Sequence, residues 1–395
     1  MKILMLVPQP FFSPRGTPIA IKSRLAAFSE LGHEVDVITY HLGGDVKIPG
    51  VRIHRIMNFP FIKEVAVGPS VNKIFLDAFV IIKAVRILIK NRYDLLHSHE
   101  EASIFGVALS KIFKVRHLYD FHSSIPQAMR NFGYSGYSPI ISMLELIERW
   151  VINSSHGVIT VSPMLDNYVR RINDRVASVM IENGPASDSP DIGKEDLTST
   201  ELPQPGMASR KIVLYAGTFE VYQGLELLIE SANLITKSRD DVLFVLIGGR
   251  PQQIDSLSKL VEKLGITSNF HFTGSLPIEA LPAFINIADV LISTRTTGMN
   301  PPLKIYDYMK SGKPIVATNI EAHTKILNND LAVLVDPHPE SIANGVISLL
   351  DDPSYAEGLG ARSKQYFETN YSSEKKIEKV REILDLITAE SHILS

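Results

Sequence analysis

Short apolar, β-branched runs alternate along this chain with longer segments in which apolar residues recur every three or four positions. Such alternation is typical of parallel sheets that are covered by helices on both faces. The pattern therefore predicts a doubly wound α/β domain over residues 1–184. Its predicted strands are Lys2–Val7, Val35–Thr39, Leu95–Ser98, Arg116–Asp120 and Val158–Val161.

The same alternation begins again after a change in composition. Residues 185–210 are rich in Pro, Ser, Asp and Gly and have almost no aliphatic periodicity, which predicts a linker. A second Rossmann-like domain is expected over 211–372, and a helical pattern predicts a C-terminal helix within 373–395. The predicted strands of the second domain are Ile212–Tyr215, Val242–Ile247, Asn269–Phe272, Val290–Ile292, Pro314–Ala317 and Ala332–Val335.

Composition narrows the classes of protein that this chain can belong to. The 395 residues, 45% of them hydrophobic, suffice for two cores, and the lack of Cys excludes disulfides, a thiol nucleophile and thiolate metal sites. The first ten residues are too short an apolar run for a signal peptide, and Asp77, Lys83 and Arg86 interrupt the longest apolar stretch. We expect a cytoplasmic protein with at most peripheral contact at the inner face of the membrane.

Charge is shared unevenly between the two predicted domains. Residues 1–184 contain 21 Lys and Arg against 15 Asp and Glu, whereas the rest of the chain contains 19 against 28. This asymmetry favours an anionic partner for the first domain. Two basic groups, Lys83, Arg86, Lys90 and then Lys111, Lys114, Arg116, predict contact with anionic lipid, the alternative being an ordinary solvated helix face.

The most informative segment runs from Ser293 to Thr318, STRTTGMNPPLKIYDYMKSGKPIVAT. A polar loop leads into a short helix, and Gly-Lys-Pro then introduces an apolar strand. The backbone N–H groups of Leu303 and Lys304 at the helix start, together with the Lys304 ammonium, suit a phosphate. One turn later, Asp307 could accept hydrogen bonds from vicinal hydroxyls such as those of a ribose. The segment predicts binding of a nucleotide diphosphate, although an ordinary loop, helix and buried strand of an α/β domain would have a similar sequence.

Other nucleotide-binding signatures are absent from the chain. No G-x-G-x-x-G follows a predicted strand, and no G-x-x-x-x-G-K-[ST] is present. The fold alone therefore does not decide between a dinucleotide oxidoreductase and other α/β proteins, and the site residues must.

The segment PLKIYDYMKSGKPIVAT resembles the donor-site signature of the GT-B-fold retaining glycosyltransferases of family 4. That resemblance implies two Rossmann-like domains facing a central cleft, with the C-terminal helix crossing back onto the first domain. It also implies transfer of a sugar, such as a hexose, from a nucleotide-diphosphate sugar to a glycan or lipid-linked acceptor. In this family the anomeric configuration is retained by front-side attack, and neither a metal nor another cofactor is needed. A nucleic-acid partner is not expected.

The resemblance extends to the first domain. In Pro14-Arg15-Gly16-Thr17-Pro18, it implies that Gly16 and Thr17 lie under the donor diphosphate and that Arg15 is on the acceptor side. The usual pair of glycines is reduced to one. Tyr119-Asp120-Phe121-His122 resembles the segment whose His contacts the donor sugar, so His122 is the expected active-site His, with Asp120 orienting it or serving as a cap.

The run His97-Ser98-His99-Glu100-Glu101 allows two interpretations. His97 and His99 share one face of a strand and carboxylates follow, which is compatible with a metal site, but no third ligand of matching spacing is apparent. Because family 4 needs no catalytic metal, we expect instead that His99 and Glu100 line the acceptor side.

In the second domain the resemblance fails in part. Family members place Arg after the first glycine and Lys before the second in the segment that here reads Gly217-Thr218-Phe219-Glu220-Val221-Tyr222-Gln223-Gly224. Thr218 and Gln223 carry no charge, so another cation should neutralise the diphosphate. The candidates are Lys304, which we expect to be catalytic together with His122 and Asp120, and then Arg250 and Arg295.

Two further features of the family concern the acids and the nucleobase. Met299 stands where the first acid of the E-x7-E pattern is expected, which leaves Asp307 as the carboxylate carried over. Gly274, Ser275 and Leu276 match the base-binding loop, and Asn183-Gly184 matches the segment before the linker. The replaced residues leave two alternatives to a transferase, namely a non-catalytic nucleotide-sugar-binding relative and a GT-B epimerase or phosphorylase.

Overall fold

The computed structural model describes residues 1–13, 16–65, 70–126, 139–182, 184–185, 210–298 and 301–389. Arg15, Asn183, Met299 and nearly all of the predicted linker lie outside the described residues. The chain divides into two compact units, Met1–Asn183 with Ser373–Ser395, and Gly184–Ser372. Each unit is built around one parallel sheet.

The first unit contains a seven-stranded sheet in the order β3-β2-β1-β4-β5-β6-β7. The strands are β1 (Lys2–Val7), β2 (Glu34–Thr39), β3 (Val51–Arg55), β4 (Leu95–His99), β5 (Arg116–Phe121), β6 (Gly157–Thr160) and β7 (Ala177–Met180). Its helices are α1 (Gly16–Glu30), α2 (Val71–Lys90), α3 (Ala102–Phe113), α4 (Pro139–Ser154) and α5 (Pro163–Ile172).

The five strands predicted in this half are present, whereas β3 and β7 were missed. Central strands are covered on both faces, so their sequences are continuous apolar runs, as in β1, where five of six residues are buried. Strands β3 and β7 form the two edges of the sheet and are mostly only half-buried. The alternating sequence of β3, Val-Arg-Ile-His-Arg, therefore does not show the pattern of a buried strand.

The second unit contains a six-stranded sheet in the order β10-β9-β8-β11-β12-β13. The strands are β8 (Lys211–Ala216), β9 (Val242–Ile247), β10 (Phe270–Gly274), β11 (Val290–Ser293), β12 (Ile315–Thr318) and β13 (Val333–Val335). The helices are α6 (Leu225–Ile235), α7 (Pro251–Lys263), α8 (Leu281–Ile287), α9 (Leu303–Ser311), α10 (Glu321–Thr324), α11 (Pro339–Asp351) and α12 (Pro353–Tyr371).

The last helix, α13 (Ser373–Ala389), belongs to the first unit. Its apolar residues Val380, Ile383, Leu384 and Ile387 are buried in the same core as residues of β1 and β2. Lys379 Nζ lies 2.6 Å from Glu182 Oε2, which adds an ion pair beside that core. In the part of the chain that the structure describes, no helix has both the length and the hydropathy needed to cross a membrane.

Candidate functional site

The segment after β8 approaches the start of α9 very closely. Gly217 has a φ of 149°, and a Cβ built there would lie 2.8 Å from the Lys304 Nζ atom. A Cβ at Gly248, which follows β9, would lie 1.9 Å from the carbonyl oxygen of Gly217. Any side chain at either position would collide, so these two glycines allow the loop, the neighbouring strand end and the lysine to meet.

Lys304 places a buried amine beside this loop. Its Nζ donates a hydrogen bond to Gln223 Oε1 at 3.2 Å and lies 3.6 Å from the centroid of the Tyr215 ring. Burial, and then the charge of Arg295, hold the pKa of Lys304 well below its usual range. Among the described residues no carboxylate is within ion-pair distance of it. A bound anion would supply the missing counter-charge.

All three candidate cations contact the segment Gly217–Gly224, and Lys304 is the buried one. Arg250 is exposed and pairs with Glu220 at 3.0 Å. The Nε atom of Arg295 donates to the carbonyl oxygen of Thr297 in its own loop at 2.7 Å, and its guanidinium lies 5.0 Å from the Tyr222 ring. Burial lowers the pKa of Arg295.

The remaining donor-side predictions fall around the same strand ends. The Thr218 carbonyl oxygen accepts a hydrogen bond from Tyr215 Oη at 2.8 Å, and Leu303 is the first residue of α9. Asp307 lies one turn further along α9 and is 3% exposed. The Gly274 carbonyl accepts from the Gly248 N–H at 2.8 Å. Ser275 donates to the Gly249 carbonyl at 3.3 Å, while Leu276 packs against the core of the unit.

His323 is a buried residue of this region that the sequence argument missed. It lies between Ser293 Oγ, at 2.9 Å from its Nε2, and the Thr318 carbonyl oxygen, at 2.8 Å from its Nδ1. Thr318 Oγ1 in turn donates to the Arg295 carbonyl. Burial lowers the pKa of His323 to about 4, so the ring is neutral and joins the ends of β11 and β12. The sequence signal that could have led to His323 is the pair of polar residues, Ser293 and Thr318, that end β11 and β12.

In the first unit, Asp120 is the centre of a buried polar network at the ends of β4 and β5. Its Oδ2 accepts a hydrogen bond from Arg24 Nε at 3.1 Å and lies 3.4 Å from His97 Nε2 and 3.7 Å from His99 Nδ1. Its Oδ1 lies 3.2 Å from His122 Nε2. The His99 and His122 rings are stacked with centroids 5.5 Å apart. The structure thus brings together the three predicted residues Asp120, His99 and His122.

Arg24 is the member of this network that no sequence motif indicated. It projects from α1 and its side chain is 4% exposed. Burial alone would raise the pKa of Asp120, but Arg24 and the surrounding imidazoles hold that pKa well below its usual range. Burial lowers the pKa values of His97 and His99. The network therefore contains one ionised carboxylate, one guanidinium and the neutral imidazoles of His97 and His99.

Asp120 also supplies the third group that the metal interpretation of His97 and His99 lacked. Potential ligand atoms of His97, His99 and Asp120 lie within 4.8 Å of one another. However, Arg24 donates to the same carboxylate oxygen that His97 and His99 face, so a cation there would lie against a buried guanidinium. The residues fit a charge-compensated imidazole network better than a cation site, and activity without a metal stays a prediction.

The start of α1 is tied to the end of β4. Thr17 Oγ1 donates to Glu100 Oε1 at 3.3 Å, next to Gly16, the first residue of the helix. Glu100 has a φ of 48°, which is uncommon for a residue with a side chain. Burial and the charge of Glu101 raise the pKa of Glu100, while Glu101 pairs with Lys73 at 2.8 Å. The predicted donor residue Thr17 and the predicted acceptor residue Glu100 are thus direct neighbours.

Comparison with known proteins assigns both halves of the chain. Residues 16–184 match the model of "Glycosyltransferase Family 4", and residues 201–366 match that of "Glycosyl transferases group 1". The α-D-kanosaminyltransferase of Streptomyces kanamyceticus is 28% identical over 170 residues. These residues are 42% of this chain and 43% of that relative, so the match spans less than half of either protein.

Solved structures show the fold over almost the whole chain. Sucrose-phosphate synthase from Thermosynechococcus elongatus superposes with a TM-score of 0.73 at 18% identity, covering 98% of this chain and 99% of that one. HepE from Anabaena, in complex with UDP, superposes with a TM-score of 0.71 at 17% identity, covering 98% and 100%. This likeness confirms the predicted GT-B fold.

Proposed function

Because the chain belongs to the family 4, group 1 glycosyltransferases, whose models match its two halves, we propose that it transfers a sugar from a nucleotide-diphosphate sugar to a glycan or lipid-linked acceptor. The anomeric configuration is retained in this proposal. The observation that supports it is the buried Lys304 amine, whose Nζ lies beside Gly217 and donates to Gln223 in the segment that lacks the family's charged residues.

The donor is held mainly by the second unit. The backbone N–H groups at the start of α9 and the Lys304 ammonium bind the diphosphate, while Asp307 accepts hydrogen bonds from the ribose hydroxyls. Gly274, Ser275 and Leu276 contact the nucleobase. UDP in the HepE structure shows that a neighbour of this fold binds such a ligand. Departure of the sugar leaves negative charge on the diphosphate, and a preorganised cation stabilises that charge.

The reacting sugar and the acceptor engage the first unit. His122 contacts the donor sugar, while His99, Glu100 and Arg15 are assigned to the acceptor side. Front-side attack delivers the acceptor oxygen to the face that the diphosphate leaves, so the configuration at the anomeric carbon is unchanged. No metal takes part in the proposed mechanism, since α9 and Lys304 provide the positive potential.

A donor panel followed by product analysis tests this function. UDP-, GDP- and ADP-sugars are compared by thermal shift, and the donor that stabilises the protein is then incubated with glycan and lipid-linked acceptors. Proton NMR of the product should show the donor's anomeric configuration. Stabilisation without turnover would favour a non-catalytic binding protein, for which the uncharged Thr218 and Gln223 are the specific observation. Product formed without an acceptor, or with phosphate as acceptor, would indicate an epimerase or a phosphorylase.

Peripheral contact with anionic lipid at the inner face of the membrane is the proposed location. Helices α2, α3 and α4 pack side by side, and large apolar side chains are exposed along them. Next to these lie the exposed basic residues Arg86, Lys90, Lys111 and Lys114. Lys83 differs from the predicted basic face, since it is half-buried and donates to the Arg55 carbonyl. The exposed apolar residues of these helices are Ile74, Phe75, Ile82, Ile89, Ile112, Ile140, Met143, Leu146 and Trp150.

A further inference from the structure

Three imidazoles and one buried arginine surround the Asp120 carboxylate in the first unit, and the proposed substrate contact uses only His122. Asp120 Oδ2 is occupied by Arg24 Nε at 3.1 Å. Asp120 Oδ1 is buried and has no aligned hydrogen-bond partner among the described residues, yet it lies 3.2 Å from His122 Nε2. One carboxylate oxygen is therefore fixed, and the other faces the imidazole.

The charges around His122 distinguish its two ring nitrogens. Asp120 is ionised and can only accept hydrogen bonds. An unprotonated Nε2 would bring an electron-rich ring nitrogen to 3.2 Å from a carboxylate oxygen, whereas a protonated Nε2 places a positively polarised N–H beside it. The second neighbour of Nε2 is His99 Nδ1 at 3.3 Å, and either of these two nitrogens can donate to the other. The contact with Asp120 therefore decides the tautomer and favours the proton on His122 Nε2.

We propose that Arg24 is a positioning residue of this site: through Asp120 it holds His122 in the Nε2–H tautomer, so that Nδ1 is the nitrogen offered to a hydroxyl of the bound sugar. The substrate contact rests on the proposed function, whereas the tautomer does not. Arg24 acts by fixing one oxygen of the carboxylate and by keeping it ionised inside the unit. No bond is made or broken in this role.

The position of Arg24 in α1 explains how its side chain reaches the Asp120 carboxylate. The first turn of α1 carries Gly16 and Thr17, and Thr17 contacts Glu100 at the end of β4. Arg24 is two turns further along the same helix and reaches the end of β5. One helix thus fixes the ends of two neighbouring strands, and the charge of Arg24 is buried only because Asp120 compensates it.

NMR of the full-length, 15N-histidine-labelled protein tests the tautomer without reference to activity. Long-range 1H–15N correlation separates a protonated from an unprotonated ring nitrogen, and comparison with His122→Gln assigns the signals. We expect a protonated Nε2 and an unprotonated Nδ1 for His122. His117 provides the internal control, because it is buried in β5 and its ring nitrogens contact the Ser98 and Ser155 hydroxyls. A protonated Nδ1 on His122 would overturn the proposal.

Variants then test the role of Arg24. Removing one charge leaves the other buried and unpaired, so Arg24→Met or Asp120→Asn alone could fail to fold. The double variant Arg24→Met/Asp120→Asn removes both charges and should fold. We expect it to lose the single His122 tautomer and about 10²-fold in kcat, with the donor KM within about threefold of the wild-type value, while the His117 signals stay unchanged.

The outcomes separate the positioning role from the proposed function. A double variant that keeps the Nε2–H tautomer and normal kcat would overturn the role of Arg24. Normal transfer by His122→Ala, combined with an Nε2–H signal in the wild type, would contradict the substrate contact of His122 but support the tautomer. A fall in kcat and a shifted tautomer in the double variant, with intact His117 signals, supports both.

Discussion

Lys304 carries an amine into the interior of the second unit with a carbonyl oxygen and a ring face as its neighbours. If it is the counter-charge of the leaving diphosphate, Lys304→Ala should lower kcat about 10²-fold, which corresponds to the roughly 3 kcal/mol that one preorganised donor contributes. Asp307→Asn should mainly weaken nucleotide binding through the ribose. Steady-state kinetics with the best donor measure both effects.

Arg250→Ala and Arg295→Ala are the matched controls for this lysine. Arg250 is paired with Glu220 at the surface, so its loss should change kcat little. Free nucleoside, which lacks phosphate, should bind equally well to the wild type and to Lys304→Ala. If Lys304→Ala keeps near-normal turnover and either arginine variant loses turnover, that arginine and not Lys304 is the counter-charge of the diphosphate. If all three variants are unaffected, a binding protein is favoured.

The depressed pKa of Lys304 predicts that binding of a nucleoside diphosphate takes up protons. In the empty protein burial disfavours the ammonium form, and a bound diphosphate favours it, so the pKa rises on binding. Affinity should therefore fall as the pH rises through the pKa of the free amine. Calorimetry in buffers of different ionisation enthalpy measures the proton uptake. Lys304→Met, which keeps the length of the side chain, should abolish it; unchanged uptake in that variant would exclude Lys304 as the source.

At the residue scale, sequence reasoning indicated candidate groups at strand ends and helix starts within recognisable motifs. Asp120 and His122 lie at the end of β5 and Lys304 lies at the start of α9, and their roles stay predictions. Arg24 and His323 were missed because each acts through a contact distant in sequence: Arg24 is 96 positions from Asp120, and His323 is 30 positions from Ser293. In the sequence of a helix, a buried arginine looks like an exposed one until the sheet order places a carboxylate opposite it.

At the scale of elements, α12 packs directly on the end of α9, the helix that carries Lys304 and Asp307. A Cβ at Gly360 would lie 2.0 Å from the Gly312 carbonyl oxygen, and Gly312 ends α9 with a φ of 74°. Gly360→Ala should separate the two helices and destabilise the protein by about 1–3 kcal/mol. Nucleotide affinity should fall with it, because the start of α9 moves.

Gly358→Ala in the same helix is the control. A Cβ there would meet only the end of the Arg362 side chain at 3.4 Å, so the substitution should be neutral or stabilise the helix by about 0.5–1 kcal/mol. Chemical denaturation and nucleotide titration compare the two variants. Equal stability of Gly360→Ala and Gly358→Ala would show that the close contact between α9 and α12 does not limit the stability of the protein.

At the scale of the whole molecule, the strands that could be predicted from the sequence are those that are buried on both faces of their sheet. The strand β9 reads Val-Leu-Phe-Val-Leu-Ile and is buried throughout, so its bounds follow from the sequence. The edge strand β3 gains its pairing from β2 rather than from apolar burial, and only the folded sheet shows it. The family resemblance predicted the order of the motifs along the chain. The packing that joins Arg24, His97 and Asp120 became apparent only in the folded structure.

Transfer should not depend on a divalent metal. Within the described residues, the group of three side chains close enough to share an ion is His97, His99 and Asp120, and Arg24 already neutralises that carboxylate. The donor site relies instead on Lys304 and the start of α9. We expect full transferase activity after extensive treatment with EDTA. Complete loss of turnover on chelation, restored by Mn²⁺ or Mg²⁺, would contradict this mechanism.

The exposed face of α2 combines apolar and basic side chains at helical spacing, which suits the surface of an anionic bilayer. Ile82, Arg86 and Ile89 are exposed at intervals of four and three positions, and the exposed Lys90 lies four positions after Arg86. Lys111, on α3, lies 5.4 Å from the ring of Trp150 on α4, so basic and apolar groups also meet there. Apolar insertion and charge attraction act together in peripheral binding.

Arg86→Gln/Lys90→Gln should lower binding to anionic liposomes about 30-fold, because each basic residue near a charged surface contributes about 1 kcal/mol. Ile89→Ser should also weaken binding, but without changing its dependence on salt, since it removes apolar contact and no charge. Leu386→Ser, at an exposed apolar residue of α13, is the control and should bind like the wild type. Sedimentation with liposomes of anionic and of zwitterionic lipid measures all four proteins. If wild type fails to sediment with anionic liposomes at low salt, the basic residues form an ordinary solvated face and the peripheral location is wrong.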